Sequence, residues 1–297
     1  MPHDVIAVIP AAGSGTRLLP ITKALPKEML PLVDQPLVHY AVEEAVECGI
    51  RDLVIITGHG GEVIKNYFAA GAALEPYLHN PDLLISMGHL PHILETLTIG
   101  YAEQSKPLGL GHAILVSEGL VRDRALAVLL VDDVILSRPS CLEQLLAVYR
   151  ETGESVIGLF EVPDEDVQKY GIALGERVDL CPGLDVLRLK DVIEKPKRKE
   201  APSRLSVMGR YVLRPELFRC LDELKPGTNG EIQLTDGIRR LMGTRPVYGV
   251  VFRGSRVDAG ERNGYVRATI EIALRRRPEL GLREYLSEVL GGRCQGS

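Results

Sequence analysis

Alternating strand and helix patterns in the first half of the chain constrain its fold more than any other feature. Residues 5–9 are a continuous, largely β-branched apolar run, typical of a strand buried on both faces. Start and stop signals at Asp34 and Gly49 bound a helix, and a second buried strand covers residues 53–57. Strand, helix and strand in this order predict a parallel sheet with right-handed crossovers.

The same alternation continues to about residue 160. It predicts helices over residues 62–70, 111–120 and 142–151, and strands over residues 127–131 and 155–160. We therefore predict an α/β fold with a doubly wound, Rossmann-like core. Ligands of such sheets bind beyond the carboxyl ends of the strands, where the loops after the first strand and after the strand over 127–131 would converge.

The second half of the chain has a different texture, because its apolar runs are shorter and charged loops that contain proline separate them. The runs lie at residues 172–174, 186–189 and 207–213. We interpret this region as an appended, more antiparallel half of a mixed sheet. Helical patterns over residues 266–277 and 282–290 predict two C-terminal helices.

Charge and cysteine usage limit the partners. The 297 residues carry a net charge of −5, which disfavours a nucleic-acid binder, so any phosphate ligand must be held by local cations. Five cysteines without CxxC spacing fit neither a zinc site nor a disulfide framework. The start of the chain shows no signal-peptide pattern, and no apolar stretch approaches the ~20 residues of a membrane span. We expect a soluble, cytoplasmic protein that binds no nucleic acid and no membrane.

A glycine-containing loop, Pro-Ala-Ala-Gly-Ser-Gly-Thr-Arg at residues 10–17, follows the first strand. Its closely spaced N–H groups can cradle phosphate oxygens, and Arg17 can add a bidentate contact. Alone, such a loop is more often a tight turn. Leu18 replaces the third glycine of GxGxxG and the GK[ST] ending is missing, so neither dinucleotide nor Walker chemistry is supported.

Other charged residues change the balance in favour of phosphate binding. Lys23 and Lys27 form a cation cluster beside the glycine loop in an acidic protein. Asp132 and Asp133 follow a predicted strand, where hard oxygen ligands suit Mg²⁺, although a turn start explains them equally well. Asp258 ends another apolar run and is a candidate to complete a metal site.

Glu194 and Lys195 end a further apolar run. Such a pair can accept sugar hydroxyls and neutralise a phosphate, yet by itself it is more typical of a solvated surface. The histidines show no ligand spacing, and His112, which follows Gly111, is expected to cap or pack.

Six segments occur in one order along the chain, at residues 9–17, 22–31, 107–113, 194–196, 209–213 and 231–236. Together they resemble the bacterial UTP–glucose-1-phosphate uridylyltransferases, within the sugar-phosphate nucleotidyltransferases, and the resemblance covers nearly the whole chain. KEMLP at 27–31 and EIQLTD at 231–236 look like the uridylyltransferase branch rather than the thymidylyltransferases. Val131 stands where that family usually has proline, and Ala259 where cysteine is frequent, but neither departure removes a ligand.

The resemblance implies one domain over residues 1–297, with a nucleotide-binding half (1–161), a sugar-phosphate-binding half (162–265) and C-terminal helices (266–297). The residues implied in nucleotide binding are Ala11, Ala12, Gly13, Gly15, Glu28, Gln104 and Gly109, the last three near the uracil. Those implied in binding glucose and its phosphate are Gly171, Glu194 and Lys195. The implied catalytic residues are Arg17 and Lys27 on the triphosphate, Lys195, and Asp132 and Asp258 as ligands of an Mg²⁺ cofactor.

The implied reaction is in-line attack by a phosphate oxygen of glucose 1-phosphate on the α-phosphorus of UTP, giving UDP-glucose and pyrophosphate without a covalent enzyme intermediate. The resemblance also implies a homodimer or homotetramer. Three alternatives stay open: a nucleotidyltransferase for another base or sugar, such as dTTP; an NAD-dependent oxidoreductase; and a non-catalytic sugar-nucleotide sensor. The missing third glycine argues against the oxidoreductase, and the complete set of charged residues argues against the sensor.

Overall fold

The fold is built on thirteen strands and eleven α-helices within residues 4–69, 80–227 and 230–292, which are the residues that the structure, a computed structural model, describes. The strands are β1 (Val5–Ala11), β2 (Pro31–Leu32), β3 (Gln35–Pro36), β4 (Asp52–Thr57), β5 (Thr98–Glu103), β6 (Ala125–Leu129), β7 (Asp133–Leu136), β8 (Ser155–Glu161), β9 (Gly171–Val178), β10 (Asp185–Glu194), β11 (Leu205–Leu213), β12 (Val247–Val251) and β13 (Ser255–Asp258).

The helices alternate with these strands and then close the chain. They are α1 (Leu37–Glu47), α2 (Glu62–Tyr67), α3 (Pro81–Met87), α4 (Leu90–Thr96), α5 (Leu110–Leu115), α6 (Glu118–Val121), α7 (Cys141–Thr152), α8 (Glu216–Asp222), α9 (Leu234–Met242), α10 (Arg262–Arg276) and α11 (Leu282–Gly292). Short 3₁₀ turns occur at Thr16–Leu18, Ile21–Lys23, Lys27–Met29, Val167–Lys169 and Pro278–Leu280.

Nine strands form one mixed sheet in the order β5, β4, β1, β6, β11, β8, β12, β10, β9. β1 pairs in parallel with β4 and β6, and β4 pairs in parallel with β5, so the first part of the sheet is parallel. β11 lies antiparallel between β6 and β8, and β10 is antiparallel to both β9 and β12. The strands of the second half are therefore mostly antiparallel, as predicted, and they extend the same sheet.

Both faces of the sheet are covered, as the continuous apolar run of β1 requires. Ala7 and Ile9 belong to one buried cluster with α1 and α7, whereas Ile6 and Val8 belong to another with α5 and α9. Successive residues of a strand point to opposite faces, so both sets of side chains are enclosed. The predicted α/β fold with a doubly wound core is confirmed.

Local signals explain several element boundaries. Ser140 caps α7 by accepting a hydrogen bond from the Glu143 N–H at 3.1 Å, and Gly153 ends the helix in the left-handed region at φ 66°. The predicted helix over 111–120 is instead two short helices, α5 and α6, and Ser117 between them donates its hydroxyl to the Ile114 carbonyl at 2.6 Å. The last residue of the predicted helix over 62–70 lies outside the described residues.

The predicted strand over 127–131 is wrong by two residues, since β6 ends at Leu129. The Leu130 N–H still donates to the Gly209 carbonyl of β11 at 2.8 Å, and the chain turns after this residue. Asp132 consequently lies in the turn, and Asp133 begins β7, which pairs with β13 through Asp133 and Asp258. This short ribbon brings two of the candidate carboxylates to one edge of the sheet.

Two further structural findings complete the fold. The sequence patterns did not reveal β2, β3, β5, β7, β12, β13, α3, α4, α8 or α9, and the first C-terminal helix begins at Arg262 rather than at residue 266. Within the described part of the chain, none of the helices is both long and apolar enough to cross a membrane.

Candidate active site

One cavity of about 530 Å³ opens where β1 and β6 end at their carboxyl sides. The predicted site residues that line it are Ala12, Gly13, Arg17, Lys27, Glu28, Gln104, Gly109, Asp132, Gly171, Glu194, Lys195 and Asp258. The carboxyl edge of a doubly wound sheet is where ligands bind in this kind of fold, so the location agrees with the sequence prediction. Ala11 and Gly15 are not among the lining residues.

Ala11 and Gly15 shape the glycine loop from behind. Ala11 is buried and ends β1 in register with Thr57 of β4. Gly15 lies in the left-handed region at φ 62°, and its carbonyl accepts the Thr22 hydroxyl at 2.8 Å. A Cβ on Gly15 would come within 3.0 Å of the Thr22 side chain, so this position needs glycine for the turn.

Lys27 and Asp132, which both line the cavity, form an ion pair in which Lys27 Nζ donates to Asp132 Oδ2 at 2.6 Å. Burial alone would raise the pKa of the Asp132 carboxyl, but the Lys27 ammonium outweighs burial and holds that pKa below its usual value. Burial likewise opposes the charge on Lys27, yet Asp132 and Glu28 raise the pKa of its ammonium above the ordinary value. Both groups are therefore charged at neutral pH.

Arg17, Asp132 and Asp258 converge at Gly260. A Cβ placed on Gly260 would lie 2.8 Å from Asp132 Oδ2, 3.0 Å from Asp258 Oδ1 and 3.0 Å from Arg17 Nη2. The Gly260 N–H donates to Asp258 Oδ1 at 2.9 Å, which fixes the orientation of that carboxylate. Any side chain at residue 260 would push the three charged groups apart.

Asp132, Asp258 and Arg17 around Gly260 form what we call the metal cradle, and this cradle fits a hard divalent cation. Mg²⁺ in phosphate-binding sites is held by one or two carboxylates and completes its shell with water and substrate phosphates. Asp132 and Asp258 supply two such carboxylates facing one point. Among residues 4–69, 80–227 and 230–292, no group of three or more His, Cys, Asp or Glu side chains is suited to hold a metal.

Asp133, whose role the sequence left open, is bound by the protein itself. Its Oδ2 accepts the Gly209 N–H at 2.8 Å and its Oδ1 accepts Arg256 Nε at 2.6 Å. Burial raises the pKa of the Asp133 carboxyl even though Arg256 opposes that shift. Arg256 also donates Nη1 to the Tyr170 hydroxyl at 3.0 Å and lies over the Tyr170 ring. This network joins the β7–β13 ribbon to the start of β9.

The candidate sugar subsite lies at the other side of Tyr170. Gly171 pairs with Glu194 across β9 and β10, and a Cβ on Gly171 would lie 3.3 Å from Glu194 Oε2. Thr235 donates its hydroxyl to the same Glu194 oxygen at 2.7 Å, which orients the carboxylate. Lys195 Nζ lies 3.4 Å from Glu194 Oε1 and its side chain is 56% exposed, so the ammonium has room to reach a ligand.

Lys195 has an unusual backbone. Its φ of 42° falls in the left-handed region, which non-glycine residues rarely adopt, and its N–H donates to the Tyr170 carbonyl at 3.1 Å. Strain of this kind costs about 1–3 kcal/mol and persists at sites where the surrounding structure enforces it. β10 ends just before Lys195, and Lys195 lines the cavity.

The candidate base subsite contains a buried acid without a partner. Glu28 is 1% exposed, and neither carboxylate oxygen makes a hydrogen bond within the described residues. Burial raises the pKa of its carboxyl, against the opposing effect of Lys27. Burying a carboxyl group without hydrogen bonds costs free energy, and a ligand donor in the cavity would offset that cost, so Glu28 is a candidate ligand-binding residue.

Gln104 and Gly109 complete this end of the cavity. Gln104 donates Nε2 to the Gly109 carbonyl at 3.0 Å, and the same Nε2 lies 3.0 Å from His112 Nδ1. These two contacts hold the Gln104 carboxamide at the wall of the cavity. Gly109 has φ 96°, and a Cβ there would come within 2.7 Å of the Ile232 carbonyl, so only glycine fits.

The residues that line the cavity but were not singled out from the sequence include Tyr170, Thr235 and Arg256. Thr235 lies inside the segment at 231–236 that carried the family resemblance, and Arg256 lies two residues before Asp258 on β13, so its side chain is on the same side of the strand. That spacing was the signal available for Arg256. Tyr170 has no comparable signal, because a tyrosine before a glycine is common in loops.

Comparison with known proteins identifies the family. The model of the nucleotidyl transferase family matches residues 6–274. A UTP–glucose-1-phosphate uridylyltransferase from Staphylococcus epidermidis is 42% identical over 274 residues, which cover 91% of this chain and 92% of that protein. One from Bacillus subtilis is 43% identical over 286 residues, covering 96% of this chain and 95% of that protein.

Solved structures give the same result. A UDP-glucose pyrophosphorylase complexed with UDP-glucose has a TM-score of 0.82 at 40% identity, covering 91% of this chain and 98% of its own. A UTP-bound UGPase from Acinetobacter baumannii has a TM-score of 0.84 at 34% identity, covering 96% and 98%. The resemblance inferred from the sequence is confirmed, and this chain belongs to the nucleotidyl transferase family, in the branch of the UTP–glucose-1-phosphate uridylyltransferases.

Proposed function

We propose that this protein transfers UMP from UTP to the phosphate of glucose 1-phosphate and releases pyrophosphate. The observation that carries the proposal is the joint arrangement of one cavity, in which Lys27, Arg17 and two carboxylates lie at one side and Glu194, Thr235 and Lys195 at the other. Two phosphate-bearing substrates need cations at both positions, and the two groups of residues provide them.

The triphosphate would bind along the glycine loop. The backbone of Ala12 and Gly13 faces the cavity beside Lys27, and Arg17 lies at the cradle formed around Gly260. Closely spaced N–H groups and two cations offset the negative charge of the phosphates and hold the α-phosphorus in place. At the far end Glu28 or Gln104 would accept the single N3–H of the uracil, a donor that cytosine lacks.

Glucose 1-phosphate would occupy the other side. Glu194, oriented by the Thr235 hydroxyl, accepts sugar hydroxyls, and the exposed ammonium of Lys195 contacts the sugar phosphate. Gly171 leaves space for the sugar ring beside Glu194, since a Cβ there would crowd the carboxylate. The two substrates would then meet between Lys27 and Lys195.

The reaction is a single in-line displacement. A phosphate oxygen of glucose 1-phosphate forms a bond to the α-phosphorus, the bond from that phosphorus to the bridging oxygen breaks, and pyrophosphate leaves with the electron pair. A phosphate monoester has a second pKa of about 6, so the nucleophile is ionised at neutral pH and needs no general base. Lys27 and Arg17 stabilise the charge on the leaving group, which is catalysis by positioning and electrostatics.

Asp132 and Asp258 would hold Mg²⁺, as the donor set at Gly260 suggests. The ion would supply charge neutralisation at the phosphates and a template that orients them. We also expect a homodimer or homotetramer in the cytoplasm, which light scattering and fractionation would measure.

A substrate panel tests the proposal. Purified protein is given UTP, dTTP, CTP or ATP with glucose 1-phosphate, galactose 1-phosphate or N-acetylglucosamine 1-phosphate, and pyrophosphate release is followed with and without Mg²⁺. We expect UTP with glucose 1-phosphate to give the highest kcat/KM. Preference for dTTP would refute the base assignment, and saturable binding without pyrophosphate would instead support a sensor.

The thymidylyltransferase alternative has a specific argument against it. A putative glucose-1-phosphate thymidylyltransferase from Bacillus anthracis has a TM-score of 0.68 at 26% identity, lower on both measures than the UDP-glucose pyrophosphorylase.

The stereochemical course of the reaction at the α-phosphorus tests the absence of a covalent intermediate. The substrate is one diastereomer of UTP that carries sulfur on the α-phosphorus. A single displacement inverts the configuration at this phosphorus, whereas a covalent enzyme intermediate gives retention of configuration.

A further inference from the structure

Lys27 lies between two parts of the site, the glycine loop at Gly13 and the Asp132 carboxylate. Its Nζ donates to Asp132 Oδ2 at 2.6 Å, and a Cβ on Gly13 would lie 3.3 Å from the same Nζ and 3.0 Å from Lys27 Cε. The side chains of Lys27 and Asp132 are only 17% and 23% exposed. The Lys27 ammonium therefore lies close to Gly13 of the glycine loop and is at the same time hydrogen-bonded to Asp132, a carboxylate of the metal cradle.

The oxygen that Lys27 occupies is the one that faces the cradle. Asp132 Oδ2 both accepts from Lys27 and lies nearest the point where Asp258 Oδ1 and Arg17 Nη2 converge. A divalent cation on either oxygen of Asp132 would lie beside the Lys27 ammonium, and two cations a few ångströms apart repel each other strongly in a partly buried site. Lys27 and a metal thus compete for the same carboxylate.

We infer that Lys27 is a gate on the metal site, which blocks Asp132 in the ligand-free protein and releases it when nucleotide phosphates bind at the glycine loop. Lysine suits this role because its ammonium has three donors on a flexible four-carbon stem. The ammonium exchanges a carboxylate partner for phosphate oxygens that arrive beside Gly13, and the freed Asp132 oxygen becomes available. This inference rests on the proposed function only for the identity of the arriving phosphates.

The gate couples nucleotide and metal binding. If nucleotide binding removes the competing ammonium, the metal binds more tightly, and by linkage the metal strengthens nucleotide binding by the same factor. The metal consequently enters with the nucleotide or after it. In the ligand-free protein, the Lys27 ammonium is bound to Asp132 Oδ2 and keeps a metal ion from that oxygen.

The test measures Mn²⁺ binding to the whole protein without any nucleotide, by electron paramagnetic resonance of free Mn²⁺. Mn²⁺ shares the oxygen preference of Mg²⁺. The variants are Lys27→Gln and, as a matched control, Lys23→Gln, which removes the same charge from an exposed side chain in the same segment. We expect Lys27→Gln to lower the Kd for Mn²⁺ at least fivefold and Lys23→Gln to leave it unchanged within twofold.

Further variants show that the gain belongs to this site. Lys27→Arg keeps the cation and should retain the weak wild-type affinity, and Asp132→Asn added to Lys27→Gln should remove the gain. A change below fivefold for Lys27→Gln, an equal gain in Lys23→Gln, or a gain that survives Asp132→Asn overturns the inference. If Lys27→Gln does not fold by circular dichroism, Lys27→Met, of similar length and without a donor, replaces it.

This titration contains neither UTP nor glucose 1-phosphate, so its outcome is independent of the proposed function. Failure of the proposed function would show as absent pyrophosphate release in the substrate panel. Failure of the gate would show as Mn²⁺ affinity that does not depend on the charge at residue 27.

Discussion

Replacing the buried Arg210 with methionine tests how the sheet holds the segment that carries Asp132. Arg210 lies on β11 and is 3% exposed. Its Nε donates to Glu44 Oε2 of α1 at 2.8 Å, and its Nη1 donates to the Leu130 carbonyl at 2.8 Å. Glu44 Oε1 in turn accepts the Leu142 N–H at the start of α7 at 2.9 Å. One guanidinium therefore ties β11 to a helix and to the turn after β6.

The cost of Arg210→Met follows from these contacts. Removing one partner of a buried ion pair leaves the other charge uncompensated, which costs about 3–5 kcal/mol. The Leu130 carbonyl also loses a charged donor, so we expect a loss near the upper end of that range. Adding Glu44→Gln leaves an amide oxygen for the Leu142 N–H but no buried charge, and about 2 kcal/mol of the loss should return.

Urea unfolding at neutral pH measures both variants, as the shift of the midpoint at constant slope. Val212→Ala, on the same strand and fully buried, serves as the control for a change that loses packing without leaving a charge. A loss below about 1 kcal/mol for Arg210→Met would refute the reasoning, since such a value is typical of an exposed pair. So would a double variant less stable than the single one.

Three further predictions address the cavity and the pH response. Asp132→Ala should reduce kcat/KM at least ~1000-fold, about 4 kcal/mol of transition-state stabilisation, while circular dichroism stays unchanged; near wild-type turnover would show that another group holds the metal. Gly109 has φ 96°, and an added Cβ would lie 2.7 Å from the Ile232 carbonyl oxygen, so Gly109→Ala should raise the KM for UTP and lower the free energy of unfolding by about 1–3 kcal/mol. A Cβ on Gly119 meets open space, so Gly119→Ala should change neither quantity. Burial lowers the pKa of His39 from 6.5 to about 4, so as pH falls His39 becomes protonated in the unfolded chain before it does in the folded protein. The stability contributed by neutral His39 is complete above pH 6.5 and is lost as pH falls toward 4, by about 3 kcal/mol in total, and His39→Gln should flatten this part of the unfolding profile.

The apolar patterns located most of the buried strands because burial on both faces is a local property. Residues 5–9 and 53–57 are continuous apolar runs, and both are strands of the parallel part of the sheet. The position of β11 could not be predicted in this way. Its pattern shows a buried strand, but its pairing with β6 and β8 depends on residues 44 to 87 positions away in the chain, and periodicity carries no information about such order.

The two neighbouring aspartates show why the chemistry of the site needed the fold. In the sequence Asp132 and Asp133 are equivalent acids after an apolar run, and both are plausible metal ligands. The two-residue difference at the end of β6 places Asp132 in a turn and Asp133 as the first residue of β7, so the two carboxylates meet different partners. Asp133 then has Gly209 and Arg256 on its two oxygens.

A carboxylate whose oxygens are both bound by rigid protein groups has little left to offer a metal, and Asp133 therefore stabilises the ribbon that carries Asp258. Asp132 differs because the partner on its Oδ2 is a lysine ammonium on a flexible stem, which can exchange one anion for another. The distinction between a structural acid and a ligand thus lies in the mobility of the partner. That mobility makes Asp132, rather than Asp133, the acid that a nucleotide can make available.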